Sequence, residues 1–137
     1  MKEYEASHPK YVAKRNKRKK EYRSTLDYKY KYLLDRGRHS CTLTFDEYKK
    51  IVASGRCYYN PEHKLPAGGH GLDRINNNKG YTKSNVVPCC YQCNRIRSNI
   101  YTHKDFKIIA PFLDVNHTKK AIGAAKLMCA ILNGADK

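Results

Sequence analysis

Residues 71–96 read GLDRINNNKGYTKSNVVPCCYQCNRI, and the stretch changes character along its length. Its first part continues a run that begins at Cys57 and is rich in Gly, Pro and Asn. The run lacks helical periodicity and is punctuated by turn formers, so it reads as hairpins. Val86-Val87 is a short β-branched pair and a strand candidate. A helix is expected to start near Cys89 or Cys90 and to run through Ile96. Hairpins followed at once by a helix make this an α+β domain rather than an all-helical one.

Cys90-Tyr-Gln-Cys93 is a C-x-x-C pair at that helix start, and Cys57 lies 33 residues earlier at a hairpin edge. Together they supply most of a structural zinc site, in which four nitrogen or sulfur ligands close a tetrahedron. The fourth ligand is expected three residues after Cys57, but that position is Asn60, a poor zinc donor. His63 is the best substitute and His70 the second. Cys41, Cys89 and Cys129 have no partner in the sequence and read as core residues, although Cys89 could compete with Cys90 for the metal.

Upstream, Thr44-Phe-Asp-Glu47 is a capping-box pattern, and Gly55 stands where a helix-terminating glycine belongs. Thr102-His-Lys-Asp105 caps another helix, interrupted by Pro111. A last helix fits residues 119–132, with Ile122, Ala125, Cys129 and Leu132 on one face and Gly134 as its stop. Residues 1–40 hold 13 Lys/Arg against five Asp/Glu, densest in KRNKRKKEYR at Lys14–Arg23. Tyrosines interleave with those charges. Tyr22, Leu26, Tyr30 and Leu33 share a helical face that can pack on a body, and Gly37 should end that helix.

The 137 residues carry a formal net charge of +16. Such an excess speaks of partners rather than fold, and nucleic acid is the first candidate, because neutralising phosphates releases condensed counterions. No stretch approaches the roughly 18 apolar residues of a membrane span, and the N-terminus has no apolar signal core. The expectation is therefore a protein of a reducing, cytoplasmic compartment, with its six cysteines as metal ligands or buried thiols rather than disulfides.

The order Gly71-Leu-Asp-Arg-Ile75, Gly80-Tyr-Thr82, Asn85-Val-Val-Pro-Cys-Cys90 and Cys93-Asn-Arg-Ile96 resembles the HNH, or ββα-metal, endonucleases over about residues 36–102. Within them it looks similar to a PacI-like subgroup, which shares Ser98-Asn-Ile100 and His39 followed by Thr42 and Thr44. The resemblance implies a ββα core in which Asp73 and Asn94 bind one catalytic Mg²⁺ (or Mn²⁺) and Asn85 braces the loop. It also implies that Cys57, Cys90 and Cys93 form a zinc knuckle. The usual family residue after the Asp is a His that acts as general base; here it is Arg74. A guanidinium stays protonated at neutral pH and can only clamp the phosphate. The base must then come from elsewhere: His39 first, as its position matches a subgroup His, then Tyr81 and His70.

The expected organisation is a basic helical arm over 1–36, a nuclease core over 37–102 and C-terminal helices over 103–137. The partner implied is double-stranded DNA. Lys14, Arg15, Lys17, Arg18, Lys19, Lys20 and Arg23 of the arm, with Arg95 and Arg97 of the core helix, are the candidate phosphate contacts. A homing-type enzyme, often phage-encoded, would read a long site as a monomer; a restriction enzyme would cut a palindrome as a homodimer. The rival from another class is a non-catalytic, zinc-containing nucleic-acid-binding protein derived from the same fold, for which Arg74 is the main support.

Overall fold

The computed structural model describes residues 2–36, 39–66 and 68–134. Among them are seven α-helices and one two-stranded sheet, so the chain is a mixed α+β protein. The helices are α1 (Lys2–Ser7), α2 (Pro9–Arg23), α3 (Leu26–Arg36), α4 (Phe45–Val52), α5 (Tyr91–Arg97), α6 (His103–Ile109) and α7 (Thr118–Leu132). The strands, β1 (Leu72–Arg74) and β2 (Val86–Pro88), lie between α4 and α5. None of these helices is long and apolar enough to cross a membrane.

Local chemistry explains most of the boundaries. The Thr44 hydroxyl accepts the Glu47 amide, and the Glu47 carboxylate accepts the Thr44 amide, a complete capping box at the start of α4. Gly55, three residues past the end of α4, has φ +66°, a conformation that glycine adopts without strain. Thr102 caps α6 by accepting the Asp105 amide. Pro111 turns the chain after α6 into a 3-10 turn (Ala110–Phe112). Gly37, the expected stop of the arm helix, lies outside the described residues.

β1 and β2 pair antiparallel, with Leu72 opposite Pro88, Asp73 opposite Val87 and Arg74 opposite Val86. A sheet this small is not stable alone and needs packing on both sides. Leu72 and Val86 join a core with Leu33, Leu43, Tyr48 and Val52. Val87 joins a second core with Cys57, Tyr59, Cys90, Cys93, Ile96, Phe106, Ile109, Ala121 and Ala125. The strand alternation thus leaves Asp73 on the side of the second core, where an aliphatic residue would be expected.

Two expectations change in part. The face of α3 packs on the body through Leu33, which is in the first core, and Tyr30, which donates its hydroxyl to the Leu43 carbonyl at 2.6 Å. On the same helical face Tyr22 and Leu26 stay exposed. On α7 the buried stripe is Ala121 and Ala125; Ile122 and Cys129 are half-buried and Leu132 is exposed, so small residues let α7 approach α5 and α6.

Candidate functional site

A cavity of about 630 Å³ opens where β1 meets α5, and Asp73, Arg74, Asn77, Tyr81, Asn94 and Arg95 are among its walls. Asp73 and Asn94 are 21 residues apart in the chain. They meet because the antiparallel pair returns the chain past β1 and only two residues separate β2 from α5.

Asp73 is only 5 % exposed. Its Oδ2 accepts the Tyr59 hydroxyl at 2.6 Å and Arg97 Nη1 at 2.6 Å. Burial pushes the Asp73 carboxyl above the usual carboxylate range, against the pull of the Tyr59 hydroxyl and the Arg97 guanidinium. The Tyr59 hydroxyl is pushed far up by burial and by the Asp73 charge, so it remains a donor.

Arg97 is the chief correction to the sequence reading. It was expected to face DNA, but it is 2 % exposed. Its guanidinium donates to Asp73 Oδ2, to the carbonyls of Arg74 and Ile75, and through Nε to the Tyr101 carbonyl. A cation so enclosed cannot reach a phosphate. It is the strut that fixes β1 to the end of α5.

Arg74 is half-buried. Its Nη1 donates to the carbonyls of Asn77 (2.8 Å) and Lys79 (3.0 Å), and its guanidinium lies 5.5 Å from the Tyr81 ring centre. Asn85 is buried and ties the intervening loop. Its Oδ1 accepts the Asn76 amide, and its Nδ2 donates to the carbonyls of Asn76 and Gly80. Burial raises the Tyr81 hydroxyl above its ordinary value, partly offset by Arg74.

His39 is exposed and is not part of the cavity wall, but its segment is fastened to that wall. The Tyr81 amide donates to Ser40 O at 2.8 Å, and the Thr42 amide donates to Tyr81 O at 3.0 Å. The approach is close enough that a Cβ on Gly80 would run into the carbonyl and hydroxyl of Ser40. His70 stacks edge-on against Tyr81, and its Nδ1 accepts the Leu72 amide at 3.1 Å. Burial lowers its pKa, which keeps the ring neutral.

Behind the sheet lies a sulfur cluster. The Sγ atoms of Cys57, Cys90 and Cys93 are all buried and within 4.8 Å of one another. His63 Nδ1 lies 3.6 Å from Cys90 Sγ and 3.5 Å from Cys93 Sγ. A reverse turn brings His63 there: the His63 amide donates to Asn60 O, and the Cys57 amide donates back to His63 O. The Cys57 thiol is held far below the thiol range by hydrogen bonds from Cys89, Cys90 and Cys93, so the cluster favours a thiolate. Three soft sulfurs and an imidazole suit zinc, with its zinc–sulfur distance of about 2.3 Å and tetrahedral preference. Cys89 is buried beside the cluster and donates to Cys90 O, whereas His70 Nδ1 accepts the Leu72 amide. Cys90 also caps α5 by accepting the Cys93 amide.

In the arm, Lys14, Lys17, Arg18, Lys19, Lys20 and Arg23 are exposed, while Arg15 pairs with Glu5 of α1. Arg95 is exposed at the cavity rim. Sequence reasoning missed Tyr59. Its only signal was an aromatic residue two places after Cys57, and its link to Asp73 is not local.

No family model matches this chain, and neither does any solved structure. A 59-residue stretch is 42 % identical to the uncharacterized protein R423 of Acanthamoeba polyphaga mimivirus. The stretch is 43 % of this chain but 11 % of that protein, so the chain spans about a tenth of the relative's length.

Proposed function

We propose that the chain is an HNH-type, metal-dependent endonuclease that hydrolyses phosphodiester bonds in double-stranded DNA. The observation that carries the proposal is that Asp73, Arg74 and Asn94, brought from a strand and a helix, line one solvent-open cavity, with a sulfur cluster behind it in the same strand–strand–helix unit. Asp73 and Asn94 would hold Mg²⁺ or Mn²⁺, since hard cations take oxygen ligands and keep waters in the rest of their shell. A carboxylate has about four acceptor sites, so the bonds of Asp73 to Tyr59 and Arg97 leave capacity for a cation. The metal, when bound, would neutralise charge on the phosphate and support the leaving oxygen.

The chain's own groups do the rest. Arg74 offers donors to a phosphate oxygen at the cavity. It takes no proton. Tyr81 lies in the wall, but its raised hydroxyl stays protonated, and His70 behind it already spends Nδ1 on the Leu72 amide; His39, on the segment bonded to Tyr81, is the group left to accept the proton of the attacking water. His39 remains the first assignment because its position matches a histidine of the PacI-like subgroup and its segment is bonded to the cavity wall. The zinc site would staple the hairpin at Cys57 to α5. The match to a stretch of a viral protein is compatible with a virus- or phage-borne homing enzyme; a dimeric restriction enzyme fits the same cavity.

A second reading, a non-catalytic zinc-containing nucleic-acid binder, is favoured by one observation: Asp73 is already paired with Arg97, and Arg74 with two carbonyls. Plasmid cleavage with and without Mg²⁺, comparing the native chain with Asp73→Ala, separates the two. The nuclease reading expects metal-dependent cutting by the native chain and a loss of at least a hundredfold in the variant. Equal cutting by both, or none on any substrate, supports the binder.

A further inference from the structure

The basic arm has a definite geometry of charge. Helix α2 buries none of its residues, and its packing partners are its neighbours α1 and α3. Eight of its 15 residues are Lys or Arg. A helix advances about 100° per residue, which puts Lys10, Lys14 and Arg18 in one ladder and Arg15, Lys19 and Arg23 in a second ladder on the opposite face. Lys17 and Lys20 fill one side between them. Like charges four residues apart oppose helix formation; Arg15 is countered by Glu5 of α1, and the other five ladder residues ask for counter-charge.

We propose that α2 lies lengthwise in the major groove of duplex DNA, with phosphates of both strands along its two sides. The inference rests on DNA being the partner, as proposed above. Charge distribution selects the groove. A helix lying on the outside of a duplex needs one cationic stripe, and a membrane-surface helix needs an apolar face, which α2 lacks. Only a groove offers phosphates on opposite sides of a helix. The major groove, about 12 Å wide, admits a helix about 10–12 Å across, whereas the minor groove, about 6 Å wide, does not. The structure also leaves room for the strand nearer the body. Between the second half of α2 and Gly68 is an open cavity of about 720 Å³, lined by Lys17, Lys19, Lys20 and Arg23, with Glu21 as the one acidic residue of its wall.

The test uses the full native chain in buffer without Mg²⁺ or Mn²⁺, so that DNA stays intact, and a 20-base-pair duplex titrated at several salt concentrations. One variant replaces Lys10, Lys14 and Arg18 by Gln; a second replaces Lys19, Lys20 and Arg23. Gln keeps helix propensity, and no buried contact is lost, so the melting temperatures should not move. Each phosphate contact contributes about −0.9 to the slope of log K against log salt. The groove geometry expects each triple variant to flatten the slope by about two to three. It also expects a duplex carrying glucosylated 5-hydroxymethylcytosine, whose sugars fill the major groove, to bind at least tenfold more weakly. A flattened slope in only one triple, or in neither, overturns the proposal, as does equal affinity for the glucosylated duplex. A native chain that cuts DNA while one triple is silent sinks this inference alone. A parent that binds no duplex sinks the nuclease reading with it.

Discussion

At the scale of single residues, two groups beside the cavity behave in opposite ways. Arg97 is charged, enclosed and fully engaged, and it holds Asp73 in place. Replacing one partner of such a pair leaves the other charge buried and alone, which costs about 3–5 kcal/mol. Arg97→Met is therefore expected to lose that much in urea unfolding, while Arg95→Met, at an exposed position, stays within about 0.5 kcal/mol of the native chain. Similar losses in both would contradict the strut. His70 is neutral instead, since its Nδ1 must accept the Leu72 amide. Its pKa is lowered from 6.5 by burial, so its contribution to stability is present above that value and is lost as pH falls through the folded value. His70→Asn keeps an acceptor and removes the titration. Between about pH 7 and about pH 5 the native melting temperature should fall more steeply than that of the variant; parallel curves would show that His70 carries no such linkage.

At the scale of elements, the segment bearing His39 is held by two backbone bonds to Tyr81, and Gly80 lets it approach. Gly80→Ala should push the two apart, with a loss of about 1–3 kcal/mol, as for other overpacked sites. Faster hydrogen exchange at the Tyr81 and Thr42 amides would report the separation, and unchanged exchange would argue against it. The elements themselves divide by how local their causes are. The capping box at Thr44 and the N-cap at Thr102 each close over three residues, so they stood open in the sequence, as did the C-x-x-C pair and the Val86 strand. β1 did not, because three residues are too few to show alternation, and its middle residue is a buried Asp. Tyr59 and Arg97 were hidden for a related reason: each reaches Asp73 across a fold, from 14 and 24 residues away. Arg97 also stands two residues from Arg95, a cation that does face solvent.

At the scale of the molecule, the sulfur cluster joins the turn at 57–63 to α5 and lies inside the larger core. If zinc is held there, part of the folding free energy comes from the metal, up to about 10–16 kcal/mol in small zinc domains. A strong chelator should lower the melting temperature by tens of degrees, and Cys90→Ser should bind less than one zinc per chain, with Cys41→Ser as an unaffected control. Full zinc in the Cys90→Ser protein would place the metal elsewhere. The position of Arg97 bears on how such a chain is made. Synthesis runs from the N-terminus, and a growing chain folds as it emerges. The cationic helix α2 would leave the ribosome long before the residue that fixes Asp73. Under the nuclease reading, a nascent or truncated chain would therefore hold nucleic acid without being able to cut it, a built-in delay that keeps an unfinished enzyme harmless to the cell translating it.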